Sequence, residues 1–118
     1  MTRKDDVDAV LPLKPVDFLV LLVLFESERH GYGIVRDIAA RSDEKIRLVP
    51  GNLYSVLRRL LGTGLIEEIQ ERPAPDLDDE RRRYYGITAY GKRVLAAEVR
   101  RLQALVTVAQ DLRIVDRP

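Results

Sequence analysis

The 118 residues contain no cysteine, no tryptophan and a single histidine, His30. Without cysteine there can be no disulfide, thiolate nucleophile or cysteine-held metal. One histidine cannot build a two-histidine metal site, and the chain has no glycine-rich phosphate loop. The common enzyme mechanisms therefore lack their residues, and neither a metal nor a cofactor is expected. An excess of either charge is also missing, since 20 basic and 19 acidic residues leave a net charge of +1. The apolar run Phe18–Phe25 is eight residues long, far short of the roughly 18 that a membrane span requires. Two prolines and several acids precede it, so it does not read as a signal peptide. A cytoplasmic chain with no membrane partner is the expectation.

An apolar fraction of 46% is enough for one hydrophobic core in a chain of this length. Residues 1–14 are charged and weakly periodic, which predicts a flexible N-terminal arm. Pro15 suits the first turn of a helix running through Phe18 and Phe25 to about Ser27, apolar almost all round and hence buried on more than one side, in part by a second subunit. After the break "RHGYG" (Arg29 to Gly33), the spacing of Ile34, Val35, Ile38 and Ala39 predicts a second helix. In the break, His30 reads as a capping or packing residue and Tyr32 as packed under that helix. Gly33 suggests a close approach between helices. Ile46–Val49 is long enough only for a short strand.

Pro50 fits position N1 of a third helix, although Val49 is a poor N-cap and Asn52 is an alternative start. Gly62 and Gly64 close that helix. Leu65–Gln70 and Arg82–Thr88 predict two strands around a loop rich in proline and acids. Thr88 then caps a long final helix, residues 89–113, followed by a tail, 114–118. Its positions Leu95, Val99, Leu102, Val106 and Ala109 are spaced by four and three, a seam that suggests pairing with another chain. Phe18 is the candidate partner for that seam on the first helix. The predicted fold is mainly α, in the α+β sense: a winged helix-turn-helix over residues 15–88 with a long C-terminal dimerisation helix. In that arrangement the third helix can enter a major groove while the hairpin flanks the backbone.

Charge is segregated rather than absent. From Ile46 to Ile66 there are three arginines and no acid, whereas "DLDDE" (Asp76 to Glu80) gathers acids beside Arg81, Arg82 and Arg83. Tyr54 and Arg58 are i, i+4 neighbours with Ser55 beside them, and Asn52 and Arg59 complete the polar face of the third helix. Phenol, hydroxyl and guanidinium donors suit phosphate oxygens and guanine edges. A merely solvated face is the bland alternative. Strand alternation puts Arg81, Arg83 and Tyr85 on one face and Arg82 and Tyr84 on the other. These arginines either reach towards phosphate or neutralise the neighbouring acids.

Three blocks, "HGYGI" (His30 to Ile34), "GNLYSVLRRLLGTGLI" (Gly51 to Ile66) and "RRRYYGITAYGKRVL" (Arg81 to Leu95), together resemble the PadR-like winged-helix transcriptional regulators. The resemblance spans about residues 16–96. It implies a homodimeric, DNA-binding repressor whose C-terminal helices make the dimer, of the compact kind with one helix after the wing. Where the family usually has Thr and Pro around the Leu-Tyr pair, this chain has Asn52 and Ser55, and its wing tip is acidic. The resemblance implies binding of double-stranded DNA; by their donor chemistry and placement the candidate contacts are Asn52, Tyr54, Ser55, Arg58, Arg59, Arg82 and Arg83, and two symmetric copies would read an inverted repeat. The resemblance also implies a small-molecule effector, as in many members, though the sequence identifies none. The competing reading is a winged-helix module that docks on another protein and never touches DNA.

Overall fold

The computed structural model describes residues 7–69 and 83–116. Helices α1 (Pro15–Glu26), α2 (Gly31–Arg41), α3 (Pro50–Gly62) and α4 (Ala89–Asp111) surround a small sheet of β1 (Arg29–His30), β2 (Ile66–Ile69) and β3 (Tyr84–Ile87). The sheet is antiparallel in the order β1-β3-β2. Arg29 lies opposite Tyr85, and Ile66 opposite Ile87. None of the described helices is long and apolar enough to cross a membrane.

Helix α1 is the hub. Val20, Leu21, Val23 and Leu24 are buried together, and the helix touches α2, α3, α4 and β3. Its nearly uniform apolarity is thus met largely within one chain. Ile34 and Ile38 from α2, Leu53, Leu57 and Leu60 from α3, and Val94 and Leu95 from α4 complete the core. Gly31 lets α2 approach α3 closely, since a Cβ there would stand 3.2 Å from Leu53 Cδ2.

Several expectations require correction. Ile46–Val49 is not a strand; Ile46 and Leu48 pack half-buried against the core in an irregular segment. The first strand is instead Arg29–His30, inside the stretch read as a break, because a two-residue strand is too short to show a period. Tyr32 does not pack under α2 but is 65% exposed. Gly33 faces the Arg29 and His30 side chains rather than another helix. The expected free arm is tied down over its described part, where the Leu13 N–H donates to the buried Glu98 carboxylate at 2.9 Å. Arg101 holds that carboxylate from its own helix.

Candidate nucleic-acid interface

Helix α3 is set by its ends. Val49 supplies no side-chain cap, and Pro50 takes the first turn, where its missing N–H leaves no bond unmade. At the other end Gly64 adopts φ +79°, its N–H donates to Leu61 O at 3.1 Å, and Leu65 N–H donates to Leu60 O at 3.0 Å. This double bond pattern is a Schellman motif, with buried Leu60 and Leu65 making its apolar contact. It turns the chain directly into β2. Thr88 anchors the same corner from α4: its hydroxyl donates to Gly64 O at 2.6 Å and accepts from Gly91 N–H at 2.9 Å.

With Leu53, Val56, Leu57 and Leu60 fixed in the core, Asn52, Tyr54, Ser55, Arg58 and Arg59 are all exposed. They are not equivalent. Taking about 100° per residue, Ser55 and Arg58 point most directly away from the core. Tyr54 lies on one flank, towards the hairpin, and Asn52 and Arg59 lie on the other, towards the start of α1. Among the described residues Arg58 meets no carboxylate. Arg59 is engaged: its guanidinium forks onto Asp17 of α1, whose side chain is only 8% exposed. The expectation that Arg59 reaches freely outward is therefore corrected; it clamps α1 to α3.

The hairpin continues this surface. Tyr85 is buried, and burial, helped by the negative charge of Glu68, pushes its phenol above the usual range; Arg83 acts in the opposite direction, and Tyr54 is close enough to be felt there. Arg83 itself is 68% exposed and loosely paired with Glu68 at 3.5 Å. Arg81, Arg82 and the acids of "DLDDE" lie outside the described residues, so their expected pairing has no structural counterpart.

The description "Transcriptional regulator PadR-like family" belongs to the family model that matches residues 20–97, more than half of the chain. The chain is a member of the PadR-like family. Members are transcriptional regulators and not enzymes. An uncharacterised protein of Lysinibacillus sphaericus is 31% identical over 85 residues, covering 72% of this chain and 75% of its own. A transcriptional regulator from Clostridium thermocellum has a similar fold, with a TM-score of 0.69 at 24% identity over 96% of this chain and 99% of that one. A PadR family transcription regulator from Clostridium difficile gives 0.68 at 23% identity over 84% and 98%. The winged-helix fold of this PadR-like chain is thus shared with both.

The residues expected at a dimer seam divide in two. Leu95 is 5% exposed in its own chain's core, so its assignment to an interface is corrected. Phe18, Val99, Leu102 and Ala109 are half-buried, and Val106 is 50% exposed. Beyond them Leu105, Val108, Leu112, Ile114 and Val115 also stand exposed. None of these five falls on the four-and-three spacing that marked the seam.

Sequence reasoning also missed an aromatic and cationic cluster beside α2. His30 Nδ1 accepts from Gly33 N–H and caps the helix. Its ring stacks on exposed Tyr32 and meets the edge of Tyr84 at 5.4 Å, and the Arg36 guanidinium lies 5.3 Å from the Tyr32 ring centre. The i, i+4 spacing of Tyr32 and Arg36 was the available signal.

Proposed function

We propose that this PadR-like protein is a homodimeric repressor that binds double-stranded DNA at an inverted repeat, working in the cytoplasm. Helix α3 enters the major groove, and the β2–β3 hairpin lies along the backbone. One observation carries this reading: the core fixes Tyr54, Ser55 and Arg58 outward on an acid-free helix, with no described carboxylate on Arg58. The unmet guanidinium is a donor for a phosphate or a guanine edge. The exposed apolar residues of α4 from Leu105 onward support pairing through that helix. Two symmetric copies then present two α3 helices about one turn of DNA apart, roughly 34 Å.

Fluorescence anisotropy with a promoter fragment at two salt concentrations tests the reading. Binding weakens steeply with salt. In Arg58→Ala, either the salt slope falls by about 1, marking a phosphate contact, or discrimination at one base pair relaxes by about 1–3 kcal/mol. Tyr54→Ala weakens binding with the fold intact. Unchanged affinity in both variants refutes this placement of α3. No binding even at low salt favours instead a module that docks on another protein.

A further inference from the structure

An open groove of about 820 Å³ runs between the N-terminal segment and α4. Val7 and Leu11 on one side and Ala96 and Ala97 on the other give it aliphatic walls. Arg93, Arg100 and Arg101 stand along the α4 side, and Asp8 is the single acid among the described lining residues. Arg101 is neutralised by Glu98, and Arg93 lies over the Tyr90 ring at 5.8 Å. Arg100 makes no ion pair with any described residue.

These five α4 residues recur at three- and four-residue steps, so they share one side of the helix. Val99, Leu102, Val106 and Ala109 lie on roughly the opposite side, and the exposed stripe begins at Leu105, past Arg101, the last α4 residue of the groove. Its size is that of clefts that hold small molecules, roughly 300–1,000 Å³.

The lining defines the ligand class. Methyl-rich walls reward burial of apolar surface, while the surplus of guanidinium groups favours a single anionic head. Among the described residues no aromatic side chain lines the groove, so a flat ring has no stacking partner there, whereas a flexible chain can follow Leu11, Ala96 and Ala97. We propose that the groove binds an aliphatic monocarboxylate of medium chain length, its carboxylate on Arg100 and its chain between Leu11 and the two alanines. This assignment goes beyond the DNA-binding reading and does not depend on it.

Titration calorimetry on the full chain tests it, with decanoate below its micelle concentration as the probe. Decanol serves as the uncharged control and butyrate as the short one. Saturable binding of one decanoate per chain is expected, at least about tenfold tighter than either control. Arg100→Gln weakens it about tenfold, as expected for one charged hydrogen bond. Ala96→Phe, a change at an exposed position, fills the groove and abolishes binding with an unaltered circular dichroism spectrum. Decanol binding as tightly as decanoate, absence of saturable binding, or decanoate affinity untouched by both substitutions overturns the assignment. So does a loss of dimer in Ala96→Phe by sedimentation, which would make the groove an interface between copies.

Discussion

Gly91→Ala probes the corner on which the orientation of α3 depends. A Cβ at Gly91 would stand 2.1 Å from the Leu65 carbonyl oxygen and 2.8 Å from Ile87 Cγ1. The first neighbour is backbone and cannot rotate aside. The same carbonyl accepts from Thr88 N–H at 3.1 Å, while the Thr88 hydroxyl binds Gly64 O. Pushing Leu65 away therefore disturbs the Schellman turn of α3 and the cap of α4 together. Two weakened hydrogen bonds cost about 1 kcal/mol each. Overpacking adds about 1–3 kcal/mol, for a total of about 3–5 kcal/mol. Against a typical stability of about 5–15 kcal/mol, that is a large fraction. Urea unfolding followed by circular dichroism measures it. Gly62→Ala is the control, because its Cβ meets nothing within 4 Å and alanine favours the helix by up to about 1 kcal/mol. A Gly91→Ala protein within about 1 kcal/mol of the parent, by the same unfolding measurement, would refute the reasoning.

The Asp17–Arg59 pair should respond asymmetrically in the same assay. Arg59→Ala strands a carboxylate that is nearly buried and costs about 2–3 kcal/mol, whereas Asp17→Asn leaves a partly exposed arginine free to hydrate and costs about 1 kcal/mol. Equal losses would contradict the burial argument. The Arg101 hydrogen bond, reinforced by Leu13 N–H, holds the Glu98 carboxyl below its usual range despite burial. A depressed folded pKa stabilises above the unfolded value, about 4.3, and that contribution fades as pH falls through the folded one. Glu98→Gln should therefore be less stable than the parent at pH 7, with a gap that narrows in acid; a constant gap from pH 7 to pH 2 would remove the ion pair as its cause. Leu105→Lys with Leu112→Lys should convert a dimer to a monomer in sedimentation without loss of helix, and a surviving dimer would move the interface off this stripe.

How much was legible in the sequence depended on how local each cause was. The limits of α3 follow from Pro50 and Gly64, two residues whose backbone chemistry acts within a turn. Thr88 as the α4 cap is equally local, its oxygen accepting from Gly91 three residues on. Within the described residues the strands β2 and β3 lie where they were expected. Arg29–His30 was missed because pairing with Tyr84 and Tyr85 across more than fifty residues, not local pattern, makes it a strand. Ile46–Val49 misled for the converse reason: Ile46 and Leu48 pack on the core without pairing, while Val49 stands exposed.

The candidate site divides along the same line. Arg58 and Arg59 are neighbours with identical side chains, and nothing in the helix period separates their roles. What separates them is Asp17, 42 residues away from Arg59 in the chain and brought alongside only when α1 docks on α3. Leu95 makes the same point on α4, where the spacing fits a seam but the fold has already filled that position from inside. Periodicity identifies which face of a helix is polar or apolar. It does not say how much of that face the rest of the chain covers. The residues that outlast this filter include Asn52, Tyr54, Ser55 and Arg58 on α3 and the stripe from Leu105 on α4, all of them exposed. A nucleic acid and a second copy can therefore reach them without first displacing part of the fold.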